Sequence, residues 1–125
     1  MTAAASGPTS GSGGLRGGVR RVPGPAGPVV RELLDAGWAV ALLRPALDDA
    51  ALWDGLVDAL DLPDWFGRNL DALEEALRDL EQPTALVLAA WWTYATARPE
   101  RWSALLDLLQ DRAAEAPPLV VVLTD

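Results

Sequence analysis

The chain has 125 residues, half of them hydrophobic, a length and composition that suit one domain with one modest core. It carries ten arginines and no lysine, eighteen acids, no histidine and no cysteine, for a formal charge of -8. These absences exclude a disulfide scaffold, a thiolate zinc site, a cysteine nucleophile and the commonest general acid or base near neutral pH.

Residues 1–28 hold most of the glycines together with Pro8, Pro23, Pro25 and Pro28, and their only charges are Arg16, Arg20 and Arg21. Without apolar periodicity such a segment cannot offset the entropy of ordering, so it is predicted to be a disordered tail and is assigned no role. Its "RGGVRR" is a weak signal for an acidic surface; a spacer is the simpler reading. No basic region followed by an apolar run marks a signal peptide. The longest apolar runs, "TALVLAAWW" and "PPLVVVLT", are about half the length that crosses a bilayer. The expectation is a soluble, cytoplasmic protein that meets neither membrane nor nucleic acid. Residues 29–125, read as the folded domain, keep seven arginines against all eighteen acids, which leaves -11. That field repels phosphates and attracts cationic partners.

From Val29 the pattern changes. A short helical turn over Val30–Ala36 stops at Gly37, a residue suited to the left-handed position that ends helices, and a buried strand follows over Trp38–Arg44. In "ALDDAALWDGLVDALDL" the residues Leu47, Leu52, Leu56, Val57 and Leu60 share one helical face, with Asp48 or Asp49 near the positive N-terminus. Pro63 ends that helix, "DWFGR" makes a tight connection, and Asn69 caps a helix running to about Leu80. "TALVLAAW" reads as a second buried strand, "PERWSALLDLLQDRAAEA" as an amphipathic helix begun by Pro99, and "LVVVLT" as a third strand. Uninterrupted apolar strands separated by helices imply an α/β domain, with a small three-stranded parallel sheet covered on both faces. Neither GxGxxG nor GxxxxGK[ST] occurs, so the usual phosphate loop of such sheets is missing from the sequence.

The helix beginning at Asn69 poses a question. Leu70, Leu73, Leu77 and Leu80 form its apolar stripe, and Asp71, Glu75 and Asp79 form a band roughly opposite, each four residues from the next. Like charges at that spacing cost an isolated helix roughly 0.2–0.5 kcal/mol per pair. Solvated helix faces are commonly charged, Asp71 suits a first turn, and Glu74 can pair with Arg78 at i+4. Alternatively, the band meets a cationic site on another macromolecule, which relieves its repulsion on binding. Composition alone leaves both readings open.

The whole phrase "LPDWFGRNLDALEEALRDL" resembles the corresponding stretch of barstar-family proteins, whose signature reads Leu-Pro, an acid, two aromatics, Gly, any residue, then Asn-Leu-Asp-Ala-Leu. Leu62, Pro63, Asp64, Trp65, Phe66, Gly67, Asn69, Leu70, Asp71, Ala72 and Leu73 all fit, and the likeness extends over about residues 38–125. The resemblance implies a monomeric inhibitor of a secreted, basic, barnase-like microbial ribonuclease, an antitoxin or immunity protein with no cofactor, metal or catalysis of its own. It implies that Trp65 packs against the enzyme, that Asp71 and Glu75 enter the pocket that normally holds RNA phosphate, and that Glu74 and Asp111 lie at the same interface. Pro63, Gly67 and Asn69 are then structural, as turn and cap. The sequence departs from the family pattern at three positions: Glu75 is one methylene longer than the usual aspartate, Glu74 replaces a large aromatic, and Arg78 stands where a small polar residue is typical. The remaining tryptophans, at 38, 53, 91, 92 and 102, are assigned to the core or its margin.

Asp71 and Glu75 as the carboxylate pair of a hydrolase would need a pocket to separate their pKa values, and one exposed helix face offers none. An EF-hand pattern for a divalent metal is absent from the sequence. An interaction module for a different basic protein remains as the alternative.

Overall fold

The computed structural model describes residues 15–125, and in it the helical and strand periods of the sequence alternate along one sheet. In chain order the elements are β1 (Gly18–Arg21), α1 (Ala26–Asp35), β2 (Ala39–Leu43), α2 (Asp49–Leu60), α3 (Leu70–Arg78), β3 (Thr84–Leu88), α4 (Trp92–Ala97), α5 (Pro99–Ala113) and β4 (Leu119–Leu123). All strands are parallel in the order β1-β4-β3-β2, with Ala39 opposite Thr84, Thr84 opposite Leu119 and Gly18 opposite Val120. Every residue of β3 and β4 is buried, the consequence of helices on both faces.

Alternation along the central strands divides the core. Leu86, Leu88, Leu119, Val121 and Leu123 face α2, α3 and α5, where they meet Leu52, Leu56, Leu73, Leu77, Leu105 and Leu109. Ala85, Val87, Val120 and Val122 point the other way, against Trp38 and the α1 residues Val29, Val30 and Leu33. Burying a leucine fully contributes about 1.5–3 kcal/mol, so Leu73 and Leu77, both enclosed, hold α3 firmly to the larger half. The helix ends follow local chemistry. The Asp48 side chain accepts from Ala51 N at 2.8 Å, and the Asn69 side chain from Ala72 N at 2.8 Å. Gly37 adopts φ +97, its N–H reaches Leu34 O and that of Trp38 reaches Leu33 O, both at 3.1 Å, the pair of bonds expected for a left-handed helix end.

Two expectations are corrected. The sheet has four strands, not three, and the fourth lies inside the stretch read as a disordered tail. β1 escapes a pattern search because it is a four-residue edge strand, paired on one side only, in which Val19 is the sole apolar side chain with a core contact. Gly17, just before the strand, serves close approach: a Cβ there would stand 2.3 Å from Ala113 O and 2.7 Å from Leu119 O. α1 likewise begins at Ala26, with Pro28 in the first turn, where a missing N–H is harmless. Residues 15–28 are therefore part of the fold, and the boundary placed at Val29 falls within it; the rest of the predicted tail, 1–14, lies outside the described residues.

The second correction concerns the strand read over 84–91, which ends at Leu88. Trp91 and Trp92 instead open a short helix, α4, after a turn in which Ala90 takes φ +48. Trp38 and Trp102 are buried and Trp53 and Trp91 half-buried, whereas Trp92 is 53% exposed and is not a core residue. No helix among the described residues is long and apolar enough to cross a membrane.

Candidate partner-binding site

The segment between α2 and α3 is shaped by backbone first. Asp61 ends α2 with φ +53, Leu62 N returns to Val57 O at 2.9 Å, and Phe66 N closes a turn on Pro63 O at 2.9 Å. The turn sends its two aromatics apart. Phe66 is buried, with its ring centroid 6.0 Å from that of Trp53, and Trp65 is left 85% exposed. A tryptophan presented this way forgoes the burial that its size would reward within one chain. Pro63 and Gly67 act through their carbonyls, the second accepting from Asn69 Nδ2 at 3.1 Å, while Asn69 Oδ1 caps α3.

On α3, Leu73 and Leu77 fix the inward direction, and Asp71, Glu74 and Glu75, with Asp79 at the helix's C-terminal cap, are all exposed. Glu74 is paired with Arg78 at 3.3 Å, the i,i+4 arrangement. Asp71 and Glu75 have no ion-pair partner among the described residues. The loop and helix therefore bring Trp65, Asp71, Glu74 and Glu75 onto one continuous segment. Asp111 is not on it: it is an exposed residue of α5, which packs against α3. The two helices are joined near Asp111 by the next side chain, Arg112, whose Nε donates to Leu77 O at 2.9 Å.

Three features at or near this surface were not read from the sequence. Arg68, at the unspecified position of the motif, bonds Asp54 on α2 at 2.6 Å, so one cation of the loop is already neutralised. Arg112 is buried; its place on the Leu105, Leu109, Arg112 stripe is a signal for inward orientation that periodicity does provide. Asp49 accepts from the Tyr94 hydroxyl at 2.5 Å and is bound by Arg101, a tie between α2 and the α4–α5 turn that has no local sequence signature. Burial pushes the Tyr94 hydroxyl above its ordinary pKa, with Arg98 acting in the opposite direction. A small cavity between Leu43, Ala46, Leu88, Trp91 and Tyr94 is lined by neither Asp71 nor Glu75. The carboxylates of the hydrolase alternative thus have no enclosure in common there.

Fold and surface together define a small parallel α/β domain whose distinctive feature is an exposed loop and acidic helix rather than an enclosed cleft. The model of the family Barstar (barnase inhibitor) matches residues 39–124, from the start of β2 to the end of the sheet, and the chain belongs to that family. The coarse role that comes with membership is one of the barnase-inhibitor kind. A search of curated proteins gave no match. β1 and α1 precede the matched segment.

Proposed function

We propose that this protein inhibits a secreted, basic microbial ribonuclease by placing the acid face of α3 and the Trp65 loop in the active site, where the carboxylates stand in for RNA phosphates. It acts as a cytoplasmic antitoxin or immunity protein. The observation that carries this reading is Glu75: exposed, opposite the Leu73 and Leu77 contacts, and without an ion-pair partner among the described residues. In the free protein no ion pair among the described residues offsets the repulsion along Asp71, Glu75 and Asp79; guanidinium or ammonium groups of an enzyme supply that counter-charge. Trp65 adds a large apolar anchor at the same surface.

The test is inhibition of barnase by Glu75→Gln beside Asp79→Asn. Glu75→Gln should change stability by no more than about 0.5 kcal/mol, as surface substitutions do. Removing one partner of a desolvated pair costs about 3–5 kcal/mol, so inhibition should weaken by a factor of about 100 or more. Asp79→Asn removes an equal charge from the end of the band and should weaken inhibition only slightly. Equal, small losses for both would reduce the band to a diffuse field and refute the assignment. One observation favours a target other than barnase itself: Glu74 is committed to Arg78, which sets a cation beside the acid band. Tight binding to another basic protein, with barnase ignored, would select that second reading.

A further inference from the structure

Arg112 is only 6% exposed, yet its guanidinium has no carboxylate partner among the described residues. Its donors go to backbone carbonyls in two other parts of the chain: Nε to Leu77 O at 2.9 Å, and one terminal nitrogen to Pro117 O at 2.9 Å and Glu115 O at 3.4 Å. The other terminal nitrogen has no hydrogen-bond partner among the described residues. A buried charge held this way is costly unless the field around it is negative. Here it is, because Leu77 lies in the last turn of α3 and Arg112 itself in the last turn of α5, where unsatisfied carbonyls concentrate partial negative charge. The planar fork of the guanidinium reaches both chain segments at once, which a single ammonium does less well.

What this clamp holds is the candidate surface. Glu75 stands two residues before Leu77, on the opposite side of α3, and Asp111 stands one residue before Arg112 on α5, so the hydrogen bond joins the two stretches of helix backbone from which these exposed carboxylates project. Asp111 is rotated about 100° from Arg112 around α5 and is exposed. We infer that Arg112 is a positioning residue for partner binding: it locks the end of α3 to the end of α5 and so fixes Glu75 and Asp111 as one preformed surface. The inference rests on the ribonuclease-inhibitor reading above.

The experiment compares barnase binding by the full chain, by Arg112→Met, by Arg112→Lys, and by Val87→Ala, which opens the core on the α1 face of the sheet, away from the clamp. Each is measured beside its own melting temperature, so that affinity is referred to folded protein. Arg112→Met should weaken binding by about tenfold or more, mainly through faster dissociation, and Arg112→Lys by less. Val87→Ala should lower the melting temperature while its folded fraction binds as the unmodified chain does. In Arg112→Met the further loss caused by Asp111→Asn should shrink, because Asp111 no longer shares a fixed surface with Glu75. Should Arg112→Met not fold, Arg112→Lys carries the same comparison. Arg112 variants that bind like Val87→Ala, at equal loss of stability, overturn the positioning role and leave the inhibitor reading intact. Failure of the unmodified chain to bind barnase or any other basic ribonuclease overturns both.

Discussion

Asp49 collects more partners than any other exposed or half-exposed acid described here, with the Tyr94 hydroxyl at 2.5 Å, Arg101 in direct contact and Arg98 at 3.8 Å. Because Tyr94 is buried, its hydroxyl holds its proton more tightly in the folded chain than in the unfolded one. The linkage has a definite sign. The contribution to stability is full below the ordinary tyrosine value of 10.0 and is lost as pH rises through the higher folded value. Tyr94→Phe should therefore cost about 1 kcal/mol at neutral pH, from the lost hydrogen bond, and should flatten part of the decline above pH ~10. Urea melts at pH ~8 and ~10.5 measure both. A variant with the same alkaline slope as the unmodified chain would show that Tyr94 is not the group responsible. At this scale, legibility depends on distance along the chain. Asn69 as a cap, and Leu73 and Leu77 as core, are local patterns and were readable. Asp49 is separated from Tyr94 by 45 residues and from Arg101 by 52, and no periodicity links them.

Among the elements, β1 and α1 carry the clearest consequence. β1 covers one edge of β4, a strand composed only of Val and Leu, and α1 covers the face made by Ala85, Val87, Val120 and Val122. The β1–α1 turn is also tied to Asp125, whose carboxylate accepts from Gly24 N at 2.8 Å while its own N–H donates to Gly24 O at 3.1 Å. Removal of residues 1–28 should accordingly destabilise the domain by more than about 2 kcal/mol and leave an apolar edge open to self-association. Thermal melting and light scattering of the truncated chain test this; a melt within a degree or two of full length, without aggregation, would count against it. Gly17→Ala is the finer version, since its Cβ meets two carbonyl oxygens. The central strands were legible because continuous Val and Leu survive only where both faces are covered. β1 was not, because a four-residue edge strand needs neither length nor alternation. Nor was α4, since the apolar run of β3 continues through Ala89 and Ala90 without a glycine or proline to mark its end.

For the molecule as a whole, the charge of -11 over residues 29–125 is spread over exposed acids of several helices, and the loop cation Arg68 is neutralised by its own partner. Association with barnase should then slow steeply as salt rises from about 20 mM to about 150 mM, over which the screening length falls to about 8 Å, while dissociation changes little. Stopped-flow measurements at several ionic strengths decide it, and an on-rate indifferent to salt would remove electrostatic steering from the account. The sheet order has a temporal consequence as well. Among the described strands β1 leaves the ribosome first, but its partner there is β4, roughly a hundred residues later, so at ordinary elongation speeds it waits on the order of ten seconds for that pairing. Arg112 and the carbonyl of Pro117 emerge in that same late stretch. A nascent chain therefore displays the Trp65 loop and α3 well before it can brace them, and the bracing arrives together with the closing of the sheet.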